Sequence, residues 1–408
     1  MKTFIIADDV TGMLDTGAQF AGRGISTEIL PLPVDAERIK SCHADVAVTN
    51  AGTRHLTAPE AYGIIRQLSQ AAREAGVPIL FKKTDSALRG HIGSELAAMS
   101  DAFAGKAVAF FPAYPELGRI TKNGIQYVGG VPLSESAFSR DPLEPATESM
   151  VSRILARETE IPCFNAEETA IAPGQKILLF DGETEEEMAR RVHAVLAERD
   201  NGQMLFAGCA GLAKVLAREV APIPKKPQYI MEDNLFVLCG TNHAVTTGQI
   251  RYAQEHGFRR YSVPLGALIR GKADEGYAGR VQALRQLCRQ GEPLIVDIDQ
   301  QNPTPVGLED SRKIVDGLNQ MLLACMDELK HYTLFFTGGD TLDAFLQRSG
   351  CRQITVLGEI LPGTPVNRLT LGDQTKYVIS KSGGYGQEDI LIACANKLRK
   401  LKKETRKT

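Results

Sequence analysis

Short runs of strand-forming residues alternate with segments that repeat apolar residues every three or four positions, from one end of this 408-residue chain to the other. Strands have a side-chain period of two and helices one of 3.6, so the alternation points to βαβ units built on mostly parallel sheets. Thr3 to Ala7, Ala44 to Thr49, Pro78 to Lys82, Ala107 to Phe111, Lys176 to Phe180 and Met204 to Ala207 read as strands. Ala58 to Ala75 and Glu183 to Arg199 read as helices, the first stopped by Gly76.

A chain of this length exceeds what one hydrophobic core usually serves, so two domains are expected. The joint is placed at Ala221-Pro-Ile-Pro-Lys-Lys-Pro-Gln228, whose three prolines resist both helix and sheet. Beyond it the pattern restarts, with strands at Leu235 to Leu238, Leu294 to Asp297 and Thr333 to Phe336 and a long helix over Leu308 to Leu329. The expected fold is α/β with two domains, 1–225 and 229–408, each a mostly parallel β-sheet flanked by helices. Phe111 to Pro145 breaks the rhythm, being rich in Pro, Gly and aromatic residues, as binding loops and lids are.

Composition removes several function classes. Lys plus Arg number 47 against 49 for Asp plus Glu, so no overall field exists for gripping nucleic acid, and an anion must be held locally. The eight Cys are scattered without a C-x-x-C pair, which argues against a zinc cage or disulfide framework and for buried thiols in a reducing, cytoplasmic setting. No run is long enough to span a membrane, and Asp8 and Asp9 cut the first apolar run short of a signal-peptide core. The basic end from Lys397 to Thr408 reads as a solvated helix end.

Chemistry-bearing residues gather where strands end and helices begin, the edge at which open α/β sheets bind ligands. In Ala7-Asp-Asp-Val-Thr-Gly-Met-Leu-Asp-Thr-Gly17, Asp8 and Asp9 are suited to orienting a polyol or accepting a hydroxyl proton. A helix-dipole role for Asp9 and Asp15 accounts for these carboxylates equally well. In Phe81-Lys-Lys-Thr-Asp-Ser-Ala-Leu-Arg-Gly-His-Ile-Gly93, strand alternation sets Lys83 and Asp85 on one face, and Arg89 adds a fork for a small carboxylate. A structural Asp85–Arg89 pair is the competing reading there, and His91 reads as a packing or surface residue. Ser86 beside them, with Arg119 and Asp141 from the irregular segment, completes the substrate candidates; Arg119 and Asp141 are equally readable as loop anchors.

In the second half, Cys239-Gly-Thr-Asn-His-Ala-Val-Thr246 and Phe336-Thr-Gly-Gly-Asp-Thr-Leu342 each follow a strand and open a helix, offering backbone amides to phosphate. The candidates are Gly240, Thr241 and His243 in the first, and Gly338, Gly339, Asp340 and Thr341 in the second. Asp340 reads as a Mg²⁺ holder or a helix cap. Leu357-Gly-Glu-Ile-Leu-Pro-Gly363 and Lys381-Ser-Gly-Gly-Tyr-Gly386 read as glycine-rich turns, adding Gly358, Glu359, Gly363, Lys381, Gly383, Gly384 and Gly386. Neither the G-x-x-x-x-G-K-[ST] string nor the dinucleotide fingerprint is present.

Together these strings resemble the four-carbon acid sugar kinases, the family of threonate, erythronate and 3-oxo-tetronate kinases, over nearly the whole chain. Ala7 to Met13 is similar to the family's Ala-Asp-Asp-Leu-Thr-Gly-Ala, and Lys83 to Gly93 to its Lys-Thr-Asp-Ser-x-x-Arg-Gly-Asn-x-Gly. Pro112 to Arg119, Gly130-Val-Pro-Leu133 and Arg140-Asp-Pro142 resemble its substrate loops, and the glycine-rich strings of the second half resemble its nucleotide domain. Val10, Met13, His91, Thr241 and His243 depart from the usual pattern.

The resemblance implies an amino-terminal sugar-acid domain, a carboxy-terminal ATP domain and an active site in the interdomain cleft. It further implies transfer from ATP-Mg²⁺ to the C4 hydroxyl of a four-carbon acid such as D-threonate, D-erythronate or a keto-tetronate. Lys83 and Arg89 would hold the substrate, with Asp9 or Asp85 as base. Two other readings remain at this level: a nucleotide-independent isomerase or aldolase that uses Lys83 as base or Schiff-base former, and a non-catalytic sugar-acid sensor. The residues leave the oligomeric state open, with a homodimer as one candidate.

Overall fold

The computed structural model describes residues 2–140, 144–166, 175–197, 202–221, 231–299 and 307–405. It divides into two compact units, Met1–Lys226 and Pro227–Thr408. The proline-rich stretch at 222–228 lies outside the described residues.

The first unit is built on β1 (Thr3–Ala7), β2 (Thr27–Ile29), β3 (Val46–Asn50), β4 (Ile79–Lys83) and β5 (Val108–Phe111). The irregular segment supplies β6 (Arg119–Lys122), β7 (Ile125–Val128) and β8 (Val131–Pro132), and the chain returns through β9 (Cys163–Asn165), β10 (Ile177–Leu179) and β11 (Met204–Gly208). The main sheet runs β2-β3-β1-β4-β11-β5-β10-β9, every pair parallel. Helices cover both faces, so β1 and β4 are buried along their whole length, β1 as a nearly continuous apolar run and β4 as one that ends in the buried Lys82 and Lys83. The core joins Phe4, Leu80, Phe110 and Leu205 of the sheet to Ile65, Leu68, Leu96 and Met99 of helices Ala58–Glu74 and Ile92–Ala102.

Strand order fixes where a ligand can enter. From β1 the chain goes to β2 and β3 on one side and then crosses to β4 on the other, which makes the carboxyl end of β1 the topological switch point. The loops after β3, β1 and β4 diverge there, and these loops carry Arg54, Asp8 with Asp9, and Asp85 with Arg89.

The second unit repeats the device with β12 (Asn234–Cys239), β13 (Arg259–Val263), β14 (Leu294–Ile298), β15 (Tyr332–Thr337), β16 (Cys351–Leu361), β17 (Thr364–Leu371) and β18 (Gln374–Lys381). Its order is β13-β14-β12-β15-β18-β17-β16, parallel as far as β18 and antiparallel over β18-β17-β16. The switch point falls at β12, whose exit loop begins with Gly240.

Several expectations change. Between Phe111 and Arg140 the irregular segment forms its own antiparallel sheet, β6-β7-β8, and short 3₁₀ turns. Leu357 to Leu361 is not a turn but the end of β16, and only Pro362-Gly363 turns the hairpin. Gly358 sits at a register shift of that hairpin with φ +124°, a conformation that side chains rarely adopt. Strand β4 stops at Lys83, so the alternation argument does not reach Asp85, which stands in the following loop.

Candidate functional site

At the carboxyl edge of the first sheet, three carboxylates surround one guanidinium. Arg54 donates through Nε to Asp8 Oδ2 at 2.6 Å and through Nη2 to the same oxygen. Its Nη2 also lies 3.1 Å from Asp9 Oδ2 and 3.6 Å from Asp85 Oδ1. Arg54 is 8% exposed, so this charge is stabilised by its anions rather than by water.

Asp85 is held from the other side by Arg89, whose Nε and Nη2 donate to Oδ2 at 2.9 Å and Oδ1 at 3.1 Å in a bidentate fork. The Ala87 amide adds a third donor at 3.1 Å. Burial alone would raise the Asp85 pKa, but Arg89, Arg54 and Lys83 hold it well below the carboxylate range. Asp8 follows the same logic: burial opposes the charge, Arg54 and the two lysines favour it, and the net shift is downward. Both are fixed anions.

Successive residues of β4 face opposite ways. Lys82 is fully buried and pairs with Glu95 of helix Ile92–Ala102 at 3.0 Å, anchoring the sheet to that helix. Lys83 turns toward helix Val10–Ala21 and donates to Thr84 O at 2.8 Å. Room for its ammonium exists because position 12 is glycine: a Cβ there would lie 2.9 Å from Lys83 Nζ and 2.9 Å from Asp9 Oδ1. Burial would lower the Lys83 pKa, yet Asp8, Asp9, Asp15 and Asp85 raise it, so the side chain is a firm cation. A Schiff base needs the neutral amine, and this environment opposes it.

Asp9 caps helix Val10–Ala21, with Oδ1 accepting from the Gly12 amide. Asp15, on the same helix, is placed differently. Its Oδ1 is buried and makes no hydrogen bond. Burial pushes the carboxyl up to about 6, against the pull of Lys83 and Arg119 and with the push of Asp9.

The irregular segment closes the site. Arg119 donates through Nη1 to Ser86 Oγ, while its buried Nε makes no hydrogen bond. The guanidinium carbons of Arg89 and Arg119 stand 5.3 and 5.4 Å from the centroid of the Phe138 ring, so one aromatic ring engages both cations. Asp8, Asp9, Lys83, Asp85, Ser86, Arg89 and Arg119 therefore share one neighbourhood, and Asp141 lies outside the described residues. His91 packs structurally, with Nδ1 2.7 Å from Glu158 Oε1.

The second unit offers backbone where the first offers charge. Loops after β12, β15 and β18 interlock: a Cβ on Gly240 would meet Thr341 Oγ1 at 2.3 Å, one on Gly383 would meet Thr241 Oγ1 at 2.9 Å, and one on Gly384 would approach His243 Nε2 at 3.1 Å. His243 caps helix Ala244–Glu255 by accepting from the Val245 amide. Gly338 has φ +100° and leads into helix Gly339–Arg348, whose first turn carries Asp340, an exposed carboxylate.

Other candidates in this unit serve the loops themselves. Lys381 is 1% exposed and its Nζ lies 3.2 Å from Thr246 Oγ1 and 3.0 Å from Ser382 O. Burial brings its pKa down to about 8. Glu359 accepts from the Gly363 amide at 2.8 Å, and the face of Gly363 is covered by the Tyr385 ring. Gly386 packs against Ile390, beside the Gln249 amide that donates to Gly386 O at 2.9 Å. Among the described residues, no group of three or more His, Cys, Asp or Glu side chains is arranged to hold a metal ion.

The model of the sugar-binding N-terminal domain matches residues 3–216, just over half of the chain, and that of the nucleotide-binding C-terminal domain matches residues 236–391. This chain belongs to the four-carbon acid sugar kinase family. It is similar to the D-threonate kinases of Salmonella typhimurium (28% identity over 96% of this chain and 97% of the other) and Bordetella bronchiseptica (29%, 97% of each). It is also similar to the D-erythronate kinase of Heliobacterium modesticaldum (27%, 97% and 96%). A crystal structure from Salmonella typhimurium LT2 superposes with a TM-score of 0.76 at 21% identity, covering 96% of this chain and 98% of that one, a likeness of fold.

In this acid sugar kinase the residue patterns single out neither Arg54 nor Phe138 and give Asp15 only a helix-dipole role. Arg54, the hub of the three carboxylates, follows β3 as Asp8 follows β1, so the strand-end rule that found Asp8 was available for it too. Asp15 stands three residues after Gly12 and so on the same helix face, beside the gap that admits Lys83. Phe138 carried no signal, because which ring lies under two arginines is a property of the folded loop.

Proposed function

We propose that this kinase transfers the γ-phosphoryl group of ATP to the C4 hydroxyl of a four-carbon sugar acid such as D-threonate, D-erythronate or a keto-tetronate. The observation that carries the reading is the pairing of Arg89 and Arg119 over Phe138 beside Asp8, Lys83 and Asp85. Two guanidiniums suit a carboxylate, and fixed anions beside them suit the hydroxyls of a short polyol. The substrates printed for the relatives, threonate, erythronate and 3-oxo-tetronate, have this chemistry.

In this reading the first unit binds the acid through Asp8, Asp9, Lys83, Asp85, Ser86 and Arg89, with Arg119 and Asp141 from the loop. The second unit binds the nucleotide. The amides at Gly240, Thr241 and Gly338 to Thr341 meet phosphate oxygens, and the 381–386 loop lies against Thr241 and His243. Mg²⁺ would neutralise triphosphate charge; with Asp340 as the exposed carboxylate at that edge, most of its ligands would be phosphate oxygens and water. Eight free cysteines, most of them buried, favour a reducing compartment such as the cytoplasm.

ADP release on adding D-threonate, D-erythronate and their keto forms to enzyme and Mg-ATP, with an EDTA control, tests this. Turnover with one of the acids, abolished by EDTA, is expected. No release with any of them from enzyme that binds ATP would overturn the reading.

A further inference from the structure

The carboxylates at the edge of the first sheet are not equally free to take a proton. Both oxygens of Asp85 are held in the Arg89 fork, and Asp8, although its Oδ1 is buried without a hydrogen bond, is tied through Oδ2 to Arg54 in a close ion pair. Asp9 spends Oδ1 on the helix cap and has Oδ2 3.1 Å from Arg54. A carboxylate so engaged loses those contacts when it is protonated. Asp15 Oδ1 is buried against the same cluster and makes no hydrogen bond, so the carboxylate feels only the longer-range pull of Lys83 and Arg119.

The geometry points to Asp15 as the general base of the transfer, a refinement that rests on the functional reading above. The acceptor hydroxyl oxygen forms its bond to the γ-phosphorus as the bond from that phosphorus to the β,γ-bridging oxygen breaks. The electron pair leaves on the nucleoside diphosphate, and the hydroxyl proton passes to Asp15 and then to water. Asp8 and Asp85 remain anions throughout and orient the polyol.

The groups facing Asp15 define its proton affinity. Lys83 of β4 and Arg119 of β6 favour the anion, while Asp9 at the start of the same helix and burial oppose it. Cys209, which precedes helix Ala210–Val220, faces the same cluster, and its buried thiol is pushed up, hence neutral. The balance leaves the Asp15 carboxyl near 6, a value at which it is ionised in neutral solution yet still a usable base.

The test is Asp15→Asn in the full-length enzyme with Mg-ATP and the best four-carbon acid. We expect kcat to fall about 10²- to 10⁴-fold, the loss associated with a missing general base, with KM for the acid within about threefold. The acid limb of the wild-type kcat/KM profile should vanish in the variant, and Asp15→Ala should regain turnover with added formate, a readout a structural carboxylate would not give. Asp15→Asn within about fivefold of wild type, or a loss confined to KM with the limb intact, overturns the assignment. If the Asn variant does not fold, Asp15→Ala decides alone: formate rescue supports the base and its absence overturns it. A wild-type enzyme inactive on every four-carbon acid would instead sink the functional reading.

Discussion

The two units share one strand order around the switch point but line it with opposite chemistry. In the first, the switch point is crowded with side-chain charge: Arg54 among Asp8, Asp9 and Asp85, with Lys83 and Arg89 alongside. In the second, the equivalent edge is backbone, shaped by Gly240, Gly338, Gly383 and Gly384, and its lysine is turned inward beneath the loop. A small acid has few atoms and must be recognised by directed charges, which need one another to survive burial. A polyphosphate is met well enough by amides at helix starts, which need only that no side chain intervene.

The sharpest way to break this contrast is to remove a charge from the first unit. Arg54→Met strands Asp8 and should cost about 3–5 kcal/mol of stability in denaturant unfolding, as loss of one member of a buried ionic cluster does. Glu95→Leu, stranding Lys82, should cost about as much, and Lys82→Met combined with Glu95→Leu should recover much of that loss. A double variant no more stable than the singles would refute the account of that pair.

Asp15 predicts the opposite sign. Its folded pKa of about 6 lies above its ordinary value of 3.8, so the stability linked to it is fully present below 3.8 and lost as pH rises through 6. Asp15→Asn should therefore be more stable than wild type at pH 8, by at most about 3 kcal/mol, with the advantage gone at pH 4. Asp8 and Asp85, whose folded pKa values are depressed, contribute stability at neutral pH that is lost as pH falls through those values. Unfolding curves across pH separate the two classes.

Smaller effects are expected in the second unit. Gly383→Ala brings a Cβ against Thr241 and should raise KM for ATP roughly tenfold, about 1.4 kcal/mol, while leaving KM for the acid unchanged. The smallest effect concerns Lys381, with its pKa near 8. Anionic phosphates nearby would raise that value, so ATP binding at pH 8 should take up a fraction of a proton, visible as buffer-dependent binding heat.

Strand-end motifs were legible wherever a side chain both carries charge and sits in a local string: Asp8, Lys83, Asp85 and Arg89 share one neighbourhood, although Asp85 reaches it from the loop after β4 and not by strand alternation. What local strings hide is sharing. Arg54 comes from a third loop, and the Asp85–Arg89 contact expected as either structural or functional proves to be joined to it. In the second unit the glycine strings were found, but Gly358 and Glu359 belong to a hairpin strand, because a bulged antiparallel strand lacks clean alternation. The edge strand β13, with two arginines, escaped notice for a related reason: Arg260 pairs with the buried Asp297, a neighbour that periodicity does not show.

The sequence alone determined the α/β class, the doubling of the sheet and the edges at which chemistry gathers, because hydrophobic period and glycine placement are local and each sheet edge follows from strand order. Only the tertiary structure decided which carboxylates are fixed anions and which one is left to titrate. Proton affinity depends on burial and on charges brought from other strands and loops, and no single segment contains them.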